Sequence, residues 1–196
     1  MSSQNLNTEN KIFSNNLRKN ILNMALNAGS ASSHFGGALS IVDIMTVLFK
    51  EFINFNKENY QKIDRDRFIL SKGHACMALY SVLFEIGLLN QEDLNLFEKS
   101  ESILLGHPII NEDKGIELST GSLGMGISIG MGIALGLKRK NLDSNVFTII
   151  GDGECNEGSV WEVALSAPKF ELNNYTVILD RNNFQQTGSS DAILNL

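Results

Sequence analysis

The sequence predicts an α/β fold, with an open, mostly parallel sheet and helices on both of its faces. Three short apolar runs, at residues 67–71, 146–150 and 175–179, have the length and composition of buried strands. Segments with a helical spacing of apolar residues lie between them, and strands that alternate with helices are typical of a parallel sheet. The 196 residues suit one domain, or a large part of one. We therefore interpret 1–196 as a single domain.

The part of the chain before the first strand is expected to be helical. Apolar residues recur every three or four positions over about 9–28, which predicts an amphipathic helix. The segment 29–33, rich in Gly and Ser, ends this helix in a loop. Ser40, with Asp43 three residues later, resembles a capping box that opens a second helix.

After the first strand, the pattern again favours helices. A helix is expected over 75–86, with Gly87 at its end. Asn90 can cap a short acidic helix over 91–99. Residues 100–120 show no regular pattern and are expected to be irregular.

The long apolar stretch from Gly121 to Leu137 is interpreted as a buried helix. It is too short and too rich in glycine for a membrane span. Four of its glycines are expected to let other backbones pack closely: Gly126, Gly130, Gly132 and Gly136. A last helix is expected over about 158–167, which Pro168 ends or kinks.

The composition limits the classes of function. Hydrophobic residues make up 43% of the chain and charged residues 19%, which is ordinary for a globular protein with a core. The net charge of −6 and the scattered Lys and Arg argue against nucleic acid or a membrane as a partner. Cys76 and Cys155 form neither a disulfide framework nor a zinc spacing. The polar N-terminus shows no signal peptide, so we expect a cytoplasmic location.

Two strand ends carry the residues that indicate function. The second strand runs into Gly-Asp-Gly-Glu at 151–154, and the third runs into Asp-Arg-Asn-Asn-Phe at 180–184. Ligands bind at this end of the strands in open α/β sheets. The oxygens of Asp152 and Asn182 suit a hard cation such as Mg²⁺ or Ca²⁺, and flanking glycines let backbone N–H groups approach a phosphate. The pattern predicts a metal-diphosphate site, the alternative being two unrelated turns.

The three histidines of the chain, His34, His74 and His107, each lie beside glycine in a predicted loop or at a helix start. A single such histidine is commonly a surface or core residue. Three of them in glycine-flanked turns indicate loops of an active site that a rigid scaffold holds. Histidines there can donate hydrogen bonds and transfer protons near neutral pH.

Five motifs follow one another along the chain. They are Ser-His-Phe-Gly at 33–36 with Ser-Ile-Val-Asp-Ile at 40–44, Asp-Arg-Phe-Ile-Leu-Ser-Lys-Gly-His-Ala at 66–75, Gly-His-Pro at 106–108, Gly-Ile-Glu-Leu-Ser-Thr-Gly-Ser-Leu-Gly at 115–124, and Gly-Asp-Gly-Glu at 151–154 with an Asn about thirty residues later. In this order they resemble the N-terminal, diphosphate-binding part of a transketolase. The second motif has the form common in two-chain transketolases.

The resemblance implies thiamine diphosphate (ThDP) and a divalent metal, Mg²⁺ or Ca²⁺, as cofactors. It implies that Asp152, Asn182 and the Phe184 carbonyl bind the metal, while the Gly153 N–H group and His74 contact the diphosphate. It also assigns further residues to the cofactor site: Thr120, Gly121, Leu123, Gly151 and Glu154. Leu123 is expected to pack under the cofactor rings.

The resemblance also implies catalytic roles. His34 and His107, with His74, are expected to face the carbonyl and hydroxyl groups of a ketose. Glu157 and Glu162 resemble acidic residues that link paired active sites across the interface between subunits. The alternative for both is a carboxylate that is favoured at a helix start by the helix dipole.

The implied reaction is transfer of a two-carbon ketol unit from a ketose to an aldose, as sugars or sugar phosphates. Family members continue beyond the position of Leu196 and need a pyrimidine-binding domain, which is a separate subunit in the two-chain type. We therefore expect a domain that is incomplete at its C-terminal end, at least a dimer, and no activity alone. The alternatives are 1-deoxy-xylulose-5-phosphate synthase, the alpha subunit of a 2-oxoacid dehydrogenase, and a truncated or interaction subunit without catalysis.

Overall fold

The computed structural model describes residues 3–29 and 34–194. The loop predicted at 29–33 lies outside the described residues, except for Gly29. That residue has a φ of 62° and its N–H donates to the carbonyl of Leu26, so it ends the first helix as expected.

Three parallel strands form the main sheet, in the order β1 Arg67–Leu70, β2 Val146–Gly151 and β3 Tyr175–Asp180. The register pairs Gly151 with Asp180, the last residues of β2 and β3. The carboxyl ends of all three strands therefore meet at one edge of the sheet. A short antiparallel hairpin follows, with β4 at Phe184–Gln185 and β5 at Gly188–Ser189.

Eight α-helices lie between and beside the strands in the described residues. In chain order they are α1 Ser3–Ala28, α2 Phe35–Leu39, α3 Val42–Val47, α4 Cys76–Glu85, α5 Gln91–Asn95, α6 Met125–Arg139, α7 Gly158–Lys169 and α8 Ser190–Ile193. The helix α3 continues as a wider π-type turn over Leu48–Phe52. Turns of 3-10 type occur at Gly73–Ala75, Glu112–Lys114 and Asp152–Asn156.

The sheet is covered on both faces, as the sequence predicts. Phe68 and Leu70 of β1 pack into the large cluster that α1, α3 and α4 build on one face. Ile69, between them, packs with residues of α6 on the other face. A third cluster joins α6 and α7 to Ile150 of β2. Alternate strand residues thus enter different layers, which is the expected consequence of the strand period.

The predicted capping box at Ser40 is wrong. The helix α3 begins at Val42, and its N-cap residue, Ile41, makes no side-chain cap. The Ser40 hydroxyl donates instead to a carboxylate oxygen of Asp180 at 2.7 Å, which is a stronger acceptor than a backbone partner would be. Asp43 accepts two hydrogen bonds from Arg18.

The predicted cap at Asn90 is confirmed. Its side chain accepts from the Asp93 N–H at 3.0 Å, and the Asp93 carboxylate accepts from the Asn90 N–H at 2.9 Å. The helix α5 ends at Asn95 rather than at 99, and Glu98 has a positive φ of 60°, which a helix does not accommodate. The stretch 100–120 is irregular, apart from a 3-10 turn and one isolated bridge.

The glycines of α6 divide into two pairs. A Cβ at Gly126 would lie 2.6–2.7 Å from atoms of Ser71, and one at Gly130 would lie 2.6 Å from the Thr148 hydroxyl. These two positions therefore need glycine for close packing on β1 and β2. For Gly132 and Gly136 the prediction is wrong, since a Cβ there meets no described atom within 4 Å. None of the described helices has the length and apolar character to cross a membrane.

The two kinds of glycine should respond oppositely to alanine. Gly126→Ala should destabilise the chain by about 1–3 kcal/mol because the new methyl group overlaps the backbone of Ser71. Gly132→Ala, the matched control in the same helix, should be neutral or stabilise by up to about 1 kcal/mol. Urea unfolding measures both. Equal effects of the two substitutions would contradict the packing described.

Candidate active site

A cavity of about 910 Å³ opens at the carboxyl edge of the sheet. It is walled by the segments that follow β1, β2 and β3, by the start of α2, and by the irregular stretch before α6. Its lining includes eleven of the predicted site residues: His34, His74, His107, Gly121, Leu123, Gly151, Asp152, Gly153, Glu154, Asn182 and Phe184. Thr120, Glu157 and Glu162 are the predicted residues that do not line it.

The three histidines converge in this cavity from three separate segments. The ring centroids of His34 and His74 are 5.6 Å apart, and those of His34 and His107 are 6.3 Å apart. His74 lies in the 3-10 turn directly after β1, while His34 precedes α2. His107 packs against Gly121, where a Cβ would lie 2.9 Å from the imidazole ring and φ is 153°. Only glycine allows this approach.

Burial lowers the pKa of His74 from its ordinary value to about 4, and the nearby charges of Lys72, His34 and His107 act in the same direction. Its imidazole is therefore neutral at pH 7. A neutral imidazole carries one donor and one acceptor nitrogen, so His74 can form both kinds of hydrogen bond with a bound molecule.

The predicted metal ligands lie at the paired ends of β2 and β3. Asp152 follows Gly151 and is 3% exposed. One of its carboxylate oxygens accepts from the Gly153 N–H at 2.9 Å, and the other from the Ser190 hydroxyl at 2.5 Å. The side-chain oxygen of Asn182 accepts from the Phe184 N–H at 2.9 Å, which forms a tight turn beside the cavity.

The oxygens at this edge suit a hard cation. A carboxylate, an amide and a backbone carbonyl are ligands that Mg²⁺ and Ca²⁺ prefer. Within 3–29 and 34–194, no group of three or more His, Cys, Asp or Glu side chains could hold a metal ion.

Glu154 joins three segments of the cavity wall and is 1% exposed. One of its carboxylate oxygens accepts from the Ser71 hydroxyl at 2.5 Å and from the Gly124 N–H at 2.9 Å. The other oxygen accepts from the Gly151 N–H at 3.0 Å. The sequence predicts Glu154 only as a cofactor-binding residue, whereas the geometry gives it a positioning role that was missed.

Two further missed residues are Lys72 and Asp180. The Lys72 ammonium lies 2.5 Å from an Asp180 carboxylate oxygen, and their side chains are 1% and 7% exposed. Both residues stand inside recognisable motifs, yet no local pattern shows that they pair. Gln185 was also missed; it lines the cavity and accepts from the Asn156 side chain at 3.0 Å.

Thr120 and Glu157 lie outside the cavity for different reasons. Thr120 lines a neighbouring cavity instead, and its backbone packs so closely on Gly73 that a Cβ on Gly73 would lie 2.6 Å from the Thr120 carbonyl. This contact supports its predicted role in shaping the loop. Glu157 is exposed at the position that precedes α7, and Glu162 is exposed on the same helix. Within the described residues, neither glutamate forms an ion pair with a histidine, so their roles stay predictions.

A pair of arginines anchors the loop that leads to Thr120. Glu117 lies 2.5 Å from the Arg65 guanidinium and 3.0 Å from that of Arg67. Arg65 also lies over the ring of Phe55, at 4.9 Å. These contacts attach the loop to the start of β1, so the loop is held at both ends: by this ion cluster and by Glu154.

Comparison with known proteins agrees with this geometry. The family model described as "Transketolase, thiamine diphosphate binding domain" matches residues 14–195. One subunit of an apulose-4-phosphate transketolase from Phocaeicola vulgatus is 36% identical over 165 residues, which cover 84% of this chain and 58% of that protein. A 6-deoxy-6-sulfo-D-fructose transketolase subunit of a Clostridium species is 34% identical over 160 residues, covering 82% and 58%.

A crystal structure of transketolase from Campylobacter jejuni superposes with a TM-score of 0.84 at 32% identity, and covers 94% of this chain and 30% of that one. The chain belongs to the transketolase family and carries its ThDP-binding domain. It spans 58% of the length of the two curated relatives named here.

The substitution Glu154→Gln tests whether the Glu154 carboxylate holds Ser71, Gly124 and Gly151 together. The glutamine side chain keeps the shape of glutamate but carries no charge. Its NH₂ group faces at least one of the three N–H or O–H donors that bind the carboxylate, so that hydrogen bond is lost. We expect a loss of about 2–3 kcal/mol in the free energy of unfolding, measured with urea. Glu101→Gln, at an exposed position, is the control. A loss no larger than that of the control would contradict the role of Glu154.

Proposed function

We propose that this chain is the diphosphate-binding component of a ThDP-dependent transketolase that works with a separate pyrimidine-binding subunit. The reaction is transfer of a two-carbon ketol unit from a ketose, or its phosphate, to an aldose, or its phosphate. The observation that carries the proposal is the convergence of three histidines with Asp152 and Asn182 in one cavity. The Phocaeicola vulgatus relative is named as one subunit of a transketolase, which supports a separate partner chain.

The residues present fit a divalent metal, Mg²⁺ or Ca²⁺. Asp152 is a buried carboxylate that accepts hydrogen bonds from two neutral donors, the Gly153 N–H and the Ser190 hydroxyl. No ion pair of Asp152 occurs among the described residues. A buried charge without a counter-charge is costly, and a divalent cation would supply one. Asp152, Asn182 and the Phe184 carbonyl would hold it.

The same cavity fits ThDP. Gly153 and His74 would contact the diphosphate, and Gly151 and Glu154 would hold the loop that binds it. Leu123, 37% exposed in the cavity wall, offers an apolar surface for the cofactor rings, with Thr120 and Gly121 shaping the loop beneath. When bound, ThDP supplies the nucleophilic carbon and stabilises the carbanion that ketol transfer requires.

The histidines would orient the sugar. Because the pKa of His74 is lowered to about 4, its imidazole stays neutral and can bond to a carbonyl or hydroxyl oxygen. His34 and His107 line the same cavity, with their rings in edge contact. Together the three side chains would hold the substrate oxygens and move protons between them.

The proposed assembly is at least a dimer, and Glu157 and Glu162 lie on a surface that a partner can reach. The two relatives are named for different sugars, so the proposal is made for ketoses and aldoses as classes. The net charge of −6 argues against nucleic acid or an anionic membrane surface as a partner. The proposed location is the cytoplasm.

Cofactor binding should depend on Asp152. At ThDP and Mg²⁺ concentrations about 100 times the dissociation constant, wild type should gain about 2.7 kcal/mol of stability. Asp152→Ala should lose the metal-dependent part of this gain, whereas Asp143→Ala, at an exposed position, should keep it. Thermal unfolding with and without Mg²⁺ measures the difference. An equal response of wild type and Asp152→Ala would show that the metal site is assigned wrongly.

Activity should require a second subunit. The purified chain alone should show no ketol transfer, and mixing it with a candidate pyrimidine-binding transketolase subunit should produce activity. His34→Ala should lower the rate of the mixture by about 10²- to 10⁴-fold if this histidine transfers protons. Full activity of the chain alone would contradict the proposal. If the mixture of the two subunits binds ThDP but shows no ketol transfer, the alternative function of a non-catalytic interaction subunit is favoured instead.

A further inference from the structure

We propose that Asp180 is a positioning residue of the metal site: with Lys72 and Ser40 it holds the Asn182 side chain so that its amide oxygen faces the cation. This inference rests on the proposed function, since it deepens the account of the metal site. Asp180 itself does not line the cavity. It would act only through the side chain it orients.

A single oxygen of Asp180 accepts three hydrogen bonds. They come from the Lys72 ammonium at 2.5 Å, the Ser40 hydroxyl at 2.7 Å and the Asn182 side-chain amide at 3.4 Å. The three donors belong to different segments: the segment after β1, the connection between α2 and α3, and the turn after β3. One buried atom therefore ties the metal turn to the segments that carry His34 and His74.

The position of Asp180 in the sheet explains why its side chain is buried. It is the last residue of β3 and pairs with Gly151. Ile178, two residues earlier and so on the same face, packs against the large cluster on the side of α1 and α4. Asp180 is 6% exposed, and Lys72 provides its counter-charge from within the protein. The carboxylate is thus already balanced and would not compete with Asp152 for the cation.

The orientation of the Asn182 amide follows from its two partners. Its NH₂ group can only donate, and it points to the Asp180 carboxylate. Its oxygen lies at the other end, where it accepts from the Phe184 N–H at 2.9 Å and keeps a second lone pair. Asn182 and Phe184 both line the cavity. If the amide turned over, its NH₂ group would face the cation and repel it.

The experiment measures the dissociation constant of Mg²⁺ by calorimetry on the full chain at saturating ThDP. In Asp180→Asn, the acceptor oxygen loses its negative charge, so its hydrogen bonds to the Lys72 ammonium and the Asn182 amide weaken and the amide is held less firmly in its orientation. The dissociation constant of Mg²⁺ should rise about 10- to 100-fold, as is common when the partner of a metal ligand is removed. The melting temperature of the cofactor-free chain is recorded for the same variant.

Asp66→Asn is the matched control. Asp66 is also a buried aspartate, 5% exposed, but it lies before β1 at the opposite end of the sheet. It accepts from the backbone N–H groups of Asn54 and Asn145 at 2.8 and 2.7 Å. This substitution should lower the melting temperature and leave the Mg²⁺ dissociation constant within about twofold of wild type, because no metal ligand depends on it.

The outcomes separate a positioning role from a structural one. A lower melting temperature of Asp180→Asn with an unchanged Mg²⁺ dissociation constant would overturn the inference and leave the proposed function intact. Absence of Mg²⁺-dependent ThDP binding in wild type would overturn both. If Asp180→Asn does not fold, Ser40→Ala decides. This substitution, at an exposed residue, removes one of the three hydrogen bonds to Asp180 and should raise the Mg²⁺ dissociation constant about threefold to tenfold. An unchanged dissociation constant would overturn the inference.

Discussion

The buried carboxylate of Glu154 is the interaction on which the cavity depends. The parallel sheet brings Ser71 and Gly151 to one edge, because they end or follow adjacent strands. The loop before α6 is not part of the sheet, and it would have no fixed position there without a partner. Glu154 binds Gly124 of that loop with the same oxygen that binds Ser71, and binds Gly151 with the other. One side chain therefore attaches this end of the loop to the ends of both β1 and β2.

Three buried carboxylates lie at this edge, and each is balanced in a different way. Asp180 is paired with the ammonium group of Lys72. Glu154 is stabilised by neutral donors from three segments of the protein. Asp152, like Glu154, lines the cavity and has no cationic partner among the described residues, but it accepts two hydrogen bonds against the three of Glu154, and one of the two comes from the adjacent Gly153 N–H. Asp152 is therefore the less fully compensated of these two carboxylates, and it follows β2 as Asn182 follows β3, at the paired strand ends where the cation site is proposed.

The sequence predicts the parts of this arrangement that follow from local patterns. The three strands, the Asn90 cap, the glycine-flanked histidines and the runs at 151–154 and 180–184 are all visible in short windows, and the cavity brings most of them together. The contacts of Glu154, Lys72 and Ser40 are not visible in this way. They join residues 83, 108 and 140 positions apart, so only the folded sheet reveals them. The capping box at Ser40 is predicted wrongly for the same reason, because the Ser40 hydroxyl binds the distant Asp180 rather than the start of α3.

The most direct test of the account is a crystal structure of the chain grown with ThDP and Ca²⁺, with the ion located by its anomalous scattering. The account predicts one strong peak at the carboxyl edge of the sheet, about 2.3–2.6 Å from oxygens of Asp152, Asn182 and Phe184. It also predicts an Asn182 amide whose nitrogen remains on Asp180. A peak elsewhere, or an ordered cofactor whose metal does not touch Asp152 and Asn182, would contradict the assignment of the site.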